Sequence, residues 1–191
     1  MNICLYGSSS NAIDKKFITD TQKLGEMMAK RGHGLVYGGG AHGLMGAAAR
    51  GVYSCGGKIV GVSPRFFETD GVLYENCSEF IYTVTMRERK QIMEDRSDAF
   101  IVVPGGIGTF DEFFEILTLK QLGRHSKAIA IYNIDGYYNE LNAMVENAIS
   151  KNFMKDTCRK LYKYFTNPEE MLDYIENYEG EDIGVRYFKN V

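Results

Sequence analysis

Short apolar runs alternate along the chain with longer segments of helical period. The runs are NICLYG at 2–7, GLVYGGG at 34–40, KIVGVS at 58–63, EFIYTV at 79–84, AFIVVPGG at 99–106, AIAIYN at 128–133 and a weaker LYKYF at 161–165. Runs this short, rich in Val and Ile and bounded by glycine or polar residues, read as strands buried on both faces. Between the first two, Phe17, Thr21, Leu24 and Met28 recur at spacings of four and three and so trace one face of a helix, which KRGHG ends with basic residues and a glycine. Comparable helical segments are expected at 43–54, about 86–97, 109–122, 137–151 and 168–178, the last with Asn167 as N-cap and Pro168 at the first helical position.

Strand and helix in this order predict βαβ units. The fold class is therefore α/β: a Rossmann-like doubly wound, mostly parallel sheet of six or seven strands with helices on both faces. No linker or repeat interrupts the alternation, so residues 1–180 are expected to form one domain. The stretch 181–191 lacks a clear period and reads as a C-terminal tail that packs loosely or against a partner.

Composition narrows the function classes. With 191 residues, 45% of them hydrophobic, the chain can bury one substantial core. A net charge of -3 and a pI near 5.7 supply no broad basic field, which argues against a polynucleotide partner and makes any anion site local. No basic leader precedes an apolar segment and no apolar run approaches the ~20 residues of a membrane span, so a cytoplasmic protein with no membrane partner is expected. Cys4, Cys55, Cys77 and Cys158 form no CxxC pair and read as reduced structural thiols. His33, His42 and His125 match no metal-ligand spacing, so no metal site is expected.

Three strand ends are rich in glycine: YGSSS after the first, YGGGAHGLMG after the second and PGGIGT after the fifth. In parallel α/β sheets ligands sit at this edge, where helix N-termini point free N–H groups outward. Gly38, Gly40 and Gly43 match G-x-G-x-x-G, but the fingerprint normally follows the first strand and needs an acid about 20 residues on. The next strand ends at Ser63, with no acid until Glu68, so a nicotinamide dinucleotide is disfavoured. The loop 104–109 is the better anion site. Its glycines free the backbone to adopt unusual conformations and to approach a ligand, and the helix dipole favours an anion. Without the G-K-[ST] ending it is no Walker loop, which points to the phosphate monoester of a small molecule.

Two readings stay open for the acids. Thr109 and Glu112 have the T-x-x-E spacing of a capping box, which would explain Glu112 without chemistry. Arg87, Arg89 and Lys90, however, cluster at the start of a helix, where the dipole disfavours cations, so an anionic ligand or nearby carboxylates should compensate them. An arginine beside Glu112 would keep it ionised by lowering its pKa. For Arg87 and Lys90 a solvated charged face serves equally well.

The segment PGGIGTFDE (104–112) resembles the PGGxGTxxE motif of the Lonely-Guy family, the cytokinin riboside 5'-monophosphate phosphoribohydrolases. YGGGAHGLMG (37–46), MRERK (86–90) and QLGRHSKAIAIYNIDGYY (121–138) are similar to family segments in the same order, so the resemblance covers most of residues 1–178. It implies hydrolysis of the N-glycosidic bond of an adenine nucleoside 5'-monophosphate, giving free base and ribose 5-phosphate with no cofactor. It also implies that Gly105, Gly106, Gly108 and Thr109 hold the phosphate, that Gly39, Gly40, Met86 and Lys90 help bind the substrate, and that Glu112 and Arg89 are catalytic. The chain's length resembles the dimeric branch, which implies a homodimer. Members have often been labelled lysine decarboxylases, yet no lysine here has a recognisable pyridoxal-phosphate context. Arg87 replaces a usual histidine, Thr85 a common acid and Leu119 a frequent tryptophan, so AMP and N6-prenylated AMP both stand as substrates. The alternative is a non-catalytic nucleotide-binding carrier or sensor of the same fold, which would use the glycine loops without needing Glu112 and Arg89 together.

Overall fold

The computed structural model describes residues 1–69 and 71–180. The tail expected at 181–191 lies outside the described residues. Every apolar run forms a strand: β1 (Asn2–Tyr6), β2 (Gly34–Tyr37), β3 (Ile59–Pro64), β4 (Glu79–Thr83), β5 (Ala99–Val102), β6 (Ala128–Tyr132) and β7 (Lys163–Phe165). They join in one seven-stranded sheet of order β4-β3-β2-β1-β5-β6-β7, with every neighbouring pair parallel. The helices are α1 (Lys15–Lys30), α2 (Gly43–Ser54), α3 (Met86–Asp95), α4 (Ile107–Gln121), α5 (Asn139–Ser150) and α6 (Pro168–Glu176).

Side chains alternate across a strand, so each strand feeds two cores. Ile3 and Leu5 of β1 pack with Leu24 and Met28 of α1, Ala48 and Val52 of α2, and Met171 and Leu172 of α6. Cys4 and Tyr6 face the other way, toward Met93 of α3, Phe113 and Leu117 of α4, and the partly buried Leu141 of α5. Both faces of the sheet are thereby covered, which is why its central strands carry almost no polar residue. On the first face α1 and α2 meet closely. A Cβ on Gly25 would lie 2.3 Å from the Ala48 carbonyl oxygen, so only glycine permits the approach.

Helix starts follow their caps. Asn167 Oδ1 accepts from the Glu169 amide at 2.8 Å and Pro168 opens α6, as its sequence predicts. Helix α5 begins at Asn139 rather than 137, because 134–136 form a 3₁₀ turn with Asp135 and Gly136 at φ 55° and 73°. Helix α4 begins at Ile107 with Gly106 as N-cap, two residues before the start that the T-x-x-E spacing suggests. Thr109 and Glu112 therefore form no capping box, and neither Asp111 nor Glu112 is in the first turn. That motif is used instead at α3: the Thr85 hydroxyl accepts from the Glu88 amide at 3.1 Å and the Glu88 carboxylate accepts from the Val84 amide at 2.8 Å.

The strand order fixes where a ligand can sit. From β1 the chain winds outward through β2, β3 and β4, then returns to place β5 on the other side of β1. The loops after β1 and β5 consequently diverge and open a crevice at the carboxyl edge.

Candidate active site

A cleft of about 550 Å³ occupies that crevice. Its walls come from four loops: Gly7–Ser10 after β1, Gly38, Gly40 and His42 after β2, Ser63 and Phe67 with Val72 and Leu73 after β3, and Gly106–Thr109 with Asp111 and Glu112 after β5. Met86 and Arg89 of α3 close one side.

Two glycine loops compete to be the anion site, and their amides decide between them. At α2 the Leu44 and Met45 amides both donate to the Ser8 carbonyl, at 2.8 and 3.2 Å, and the Gly43 amide donates to Asn11 Oδ1 at 2.9 Å. These donors are consumed within the protein, so the G-x-G-x-x-G match forms no dinucleotide cradle. At α4 the first amide with an intrahelical partner is that of Phe110, which donates to the Gly106 carbonyl at 3.0 Å. The amides of Ile107, Gly108 and Thr109 precede it at the cleft wall, where the dipole favours an anion. The loop glycines act here differently from the expectation. Gly105, Gly106 and Gly108 keep negative φ, and a Cβ on Gly106 or Gly108 would meet nothing within 4 Å. They leave room for a ligand rather than relieve backbone strain.

Glu112 and Arg89 meet at the other end of α4. Arg89 Nη2 donates to Glu112 Oε1 at 2.8 Å, with both residues buried at 8% and 6% exposure. Gly38 makes the pairing possible, since a Cβ there would lie 2.1 Å from Arg89 Nη2. Arg89 Nη1 also contacts Met86 Sδ at 3.7 Å, and its buried Nε has no hydrogen-bond partner among the described residues. Burial raises the Glu112 pKa to about 7, against the lowering pull of Arg89. The sequence expectation that the arginine keeps this carboxylate fully ionised is thus corrected. Desolvation outweighs one cation, because the pair sits where water cannot solvate the charge.

Of the sequence-predicted residues, Gly40, Met86, Arg89, Gly106, Gly108, Thr109 and Glu112 line the cleft together. Gly39, Lys90 and Gly105 do not. Gly39 lies against the Phe80 ring, where a Cβ would approach to 2.7 Å. Gly105 packs under the Thr109 side chain, and its carbonyl accepts from the Tyr137 hydroxyl at 2.7 Å. Lys90 pairs with Asp111 at 2.9 Å and with Glu115, which offsets its unfavourable place at the start of α3. Arg87 is exposed. Sequence reasoning missed Ser8, Ser9, Ser10, His42, Ser63, Phe67, Val72 and Leu73 as wall residues. For the serines a signal existed, since they follow β1 at the switch point; the rest are brought in by loop paths that no local motif marks.

Residues 45–175 match the family described as possible lysine decarboxylase. A probable cytokinin riboside 5'-monophosphate phosphoribohydrolase of Oryza sativa subsp. japonica is 35% identical over 176 residues, covering 92% of this chain and 70% of that protein. A cytokinin riboside 5'-monophosphate phosphoribohydrolase of Arabidopsis thaliana is 34% identical over 176 residues, covering 92% and 83%. Among solved structures, the molybdenum cofactor carrier protein from Chlamydomonas reinhardtii superposes with a TM-score of 0.70 at 20% identity, over 92% of this chain and 95% of that one. A molybdenum cofactor binding protein from Rippkaea orientalis does so with a TM-score of 0.67 at 22% identity, over 92% and 94%. These two likenesses are of fold. The sequence likeness is closer and spans the cleft-forming loops after β1, β2, β3 and β5, so the chain belongs to the Lonely-Guy family.

Proposed function

We propose that the protein hydrolyses the N-glycosidic bond of an adenine nucleoside 5'-monophosphate, AMP or an N6-prenylated AMP, to free base and ribose 5-phosphate. The observation that carries this reading is a carboxyl with a pKa of about 7, gripped by an arginine, in the same cleft as a helix N-terminus whose amides are free. The relatives' activity supports it.

The 5'-phosphate binds the amides of Ile107, Gly108 and Thr109, and the ribose C1' then lies toward Glu112. As the C1'–N9 bond lengthens, the ribose gains oxocarbenium character, which the Glu112 carboxylate stabilises. A water oxygen bonds to C1', its proton passes to Glu112, and the base leaves with the bonding pair and takes up a proton. Arg89 fixes the carboxylate's orientation and its charge favours the departing electrons. Because Glu112 acts as the carboxylate, turnover rises with pH through about 7.

Decarboxylation of lysine through pyridoxal phosphate needs a lysine for the Schiff base. None lines the cleft: Lys90 is held by Asp111 and Glu115, and buried Lys120 donates to the Tyr178 hydroxyl at 2.8 Å. The residues do not fit that cofactor. A nucleotide carrier of the same fold would need the α4 amides but no carboxylate buried against an arginine.

Base release from AMP and from N6-isopentenyl-AMP, measured for the wild type and Glu112→Gln, tests the proposal. Cleavage by the wild type, reduced by about 10² to 10⁴ in a variant that still binds nucleotide, is expected. Binding of both nucleotides without cleavage would replace the hydrolase by the carrier. The proposal extends to one domain and to a cytoplasmic homodimer; no helix among the described residues is long and apolar enough to cross a membrane, and exposed Val84 and Ile107 flank the cleft side of the molecule. Light scattering giving a monomer mass would remove the dimer.

A further inference from the structure

Across the carboxyl edge the cleft runs from the α4 N-terminus, after β5, to the end of β3. Three strand spacings separate β5 from β3 by way of β1 and β2, about 14 Å in all. The Arg89 guanidinium lies between, over Gly38 at the end of β2. A nucleotide anchored by its phosphate at α4, with its scissile bond beside Glu112 and Arg89, therefore points the far edge of its base at the β3 end.

That end is mostly apolar. The segment after β3 folds back over the β2 loop: the Ala41 amide donates to the Val72 carbonyl and the Tyr74 amide to the Gly39 carbonyl, each at 2.9 Å. This pins Val72 and Leu73 beside Phe67 and Met45 as walls of the cleft. On its floor is Ser63, the penultimate residue of β3, at 1% exposure. Its hydroxyl makes no hydrogen bond to any other described residue. A buried hydroxyl among apolar side chains costs free energy unless a partner arrives, so a ligand that supplies one is favoured and one that presents hydrocarbon there is disfavoured.

We propose that Ser63 is a specificity-determining residue that hydrogen-bonds the group at purine C6, so that the cleft prefers a base with a donor or acceptor there over an apolar isostere. The inference rests on the phosphoribohydrolase reading and names the residue that selects the base. A site with such a group discriminates more sharply than an apolar pocket, because the wrong base leaves the hydroxyl unpaired.

The test compares kcat/KM for AMP and for 6-methylpurine riboside 5'-monophosphate, in which a methyl replaces the amine, using the wild type, Ser63→Ala and Ser63→Thr. Differences in leaving-group chemistry cancel when the AMP-to-methylpurine ratio is compared between enzymes. Ser63→Ala should lower that ratio about tenfold, mainly through AMP, while Ser63→Thr retains it and inhibition by ribose 5-phosphate is unchanged in both. Turnover of both nucleotides with the same ratio in Ser63→Ala overturns the role of Ser63 and leaves the hydrolase standing. Loss of ribose 5-phosphate binding in Ser63→Ala also overturns it, by making the residue structural. If the wild type cleaves neither nucleotide, the hydrolase reading fails and takes this inference with it.

Discussion

Glu112→Gln separates what burial does to the catalytic carboxyl from what Arg89 does. In the unfolded chain Glu112 ionises near 4.5, while in the fold burial raises this to about 7. Between those values the folded state holds the proton more tightly than the unfolded state. Stability contributed by the protonated carboxyl is therefore complete below 4.5 and is lost as pH rises through 7. Working the linkage relation between pH 5 and pH 8 gives a loss of about 2–3 kcal/mol from this group. Glutamine keeps the shape and an oxygen to accept from Arg89 Nη2, but cannot ionise. The difference in unfolding free energy, variant minus wild type, should therefore rise by about 2–3 kcal/mol between pH 5 and pH 8. Urea unfolding of both proteins at the two pH values measures it, and charges common to both cancel. A rise in stability accompanied by lost activity would mark a carboxylate held at an energetic cost for its chemistry. A difference that stays constant, or falls, would refute the reasoning, for then the Arg89 charge outweighs burial and Glu112 is ionised well below neutrality.

Two further substitutions probe the scaffold of the cleft. Gly38→Ala puts a Cβ where Arg89 Nη2 now lies, so the guanidinium must leave Glu112; base release should fall about 10²-fold with about 1–3 kcal/mol lost from stability, and unchanged kinetics would show that Arg89 finds another path to the carboxylate. Tyr137→Phe removes the donor to the Gly105 carbonyl and loosens the loop before α4, so KM for the nucleotide should rise about fivefold with kcat little changed; a fall in kcat at constant KM would tie Tyr137 to the chemistry instead.

How the chain makes a doubly wound sheet is written in its residues. Apolar runs such as AIAIYN are buried on both faces, and the period of Phe17, Thr21, Leu24 and Met28 orients α1, because both patterns are local consequences of backbone geometry. Asn167 and Pro168 mark the start of α6 for the same reason, a cap being satisfied within one turn. PGGIGTFDE also locates the phosphate loop and Glu112, although its T-x-x-E spacing points to the wrong helix start. Residue types permitted a cap at Thr109, but the chain enters α4 at Gly106, and the box forms at Thr85 and Glu88.

Other features follow only from residues distant in the chain. That the α2 amides are consumed by Ser8 and Asn11 while those of α4 stay free depends on β1 lying between β2 and β5. The sequence by itself determined the elements, the phosphate loop and the identity of the acid and its arginine, because each is set by local pattern. Only the tertiary structure decided the protonation of Glu112, the passage that Gly38 leaves for Arg89 and the free hydroxyl of Ser63 at the far end of the cleft. Desolvation and close approach are made by segments that the sheet order brings together, and no stretch of sequence carries them alone.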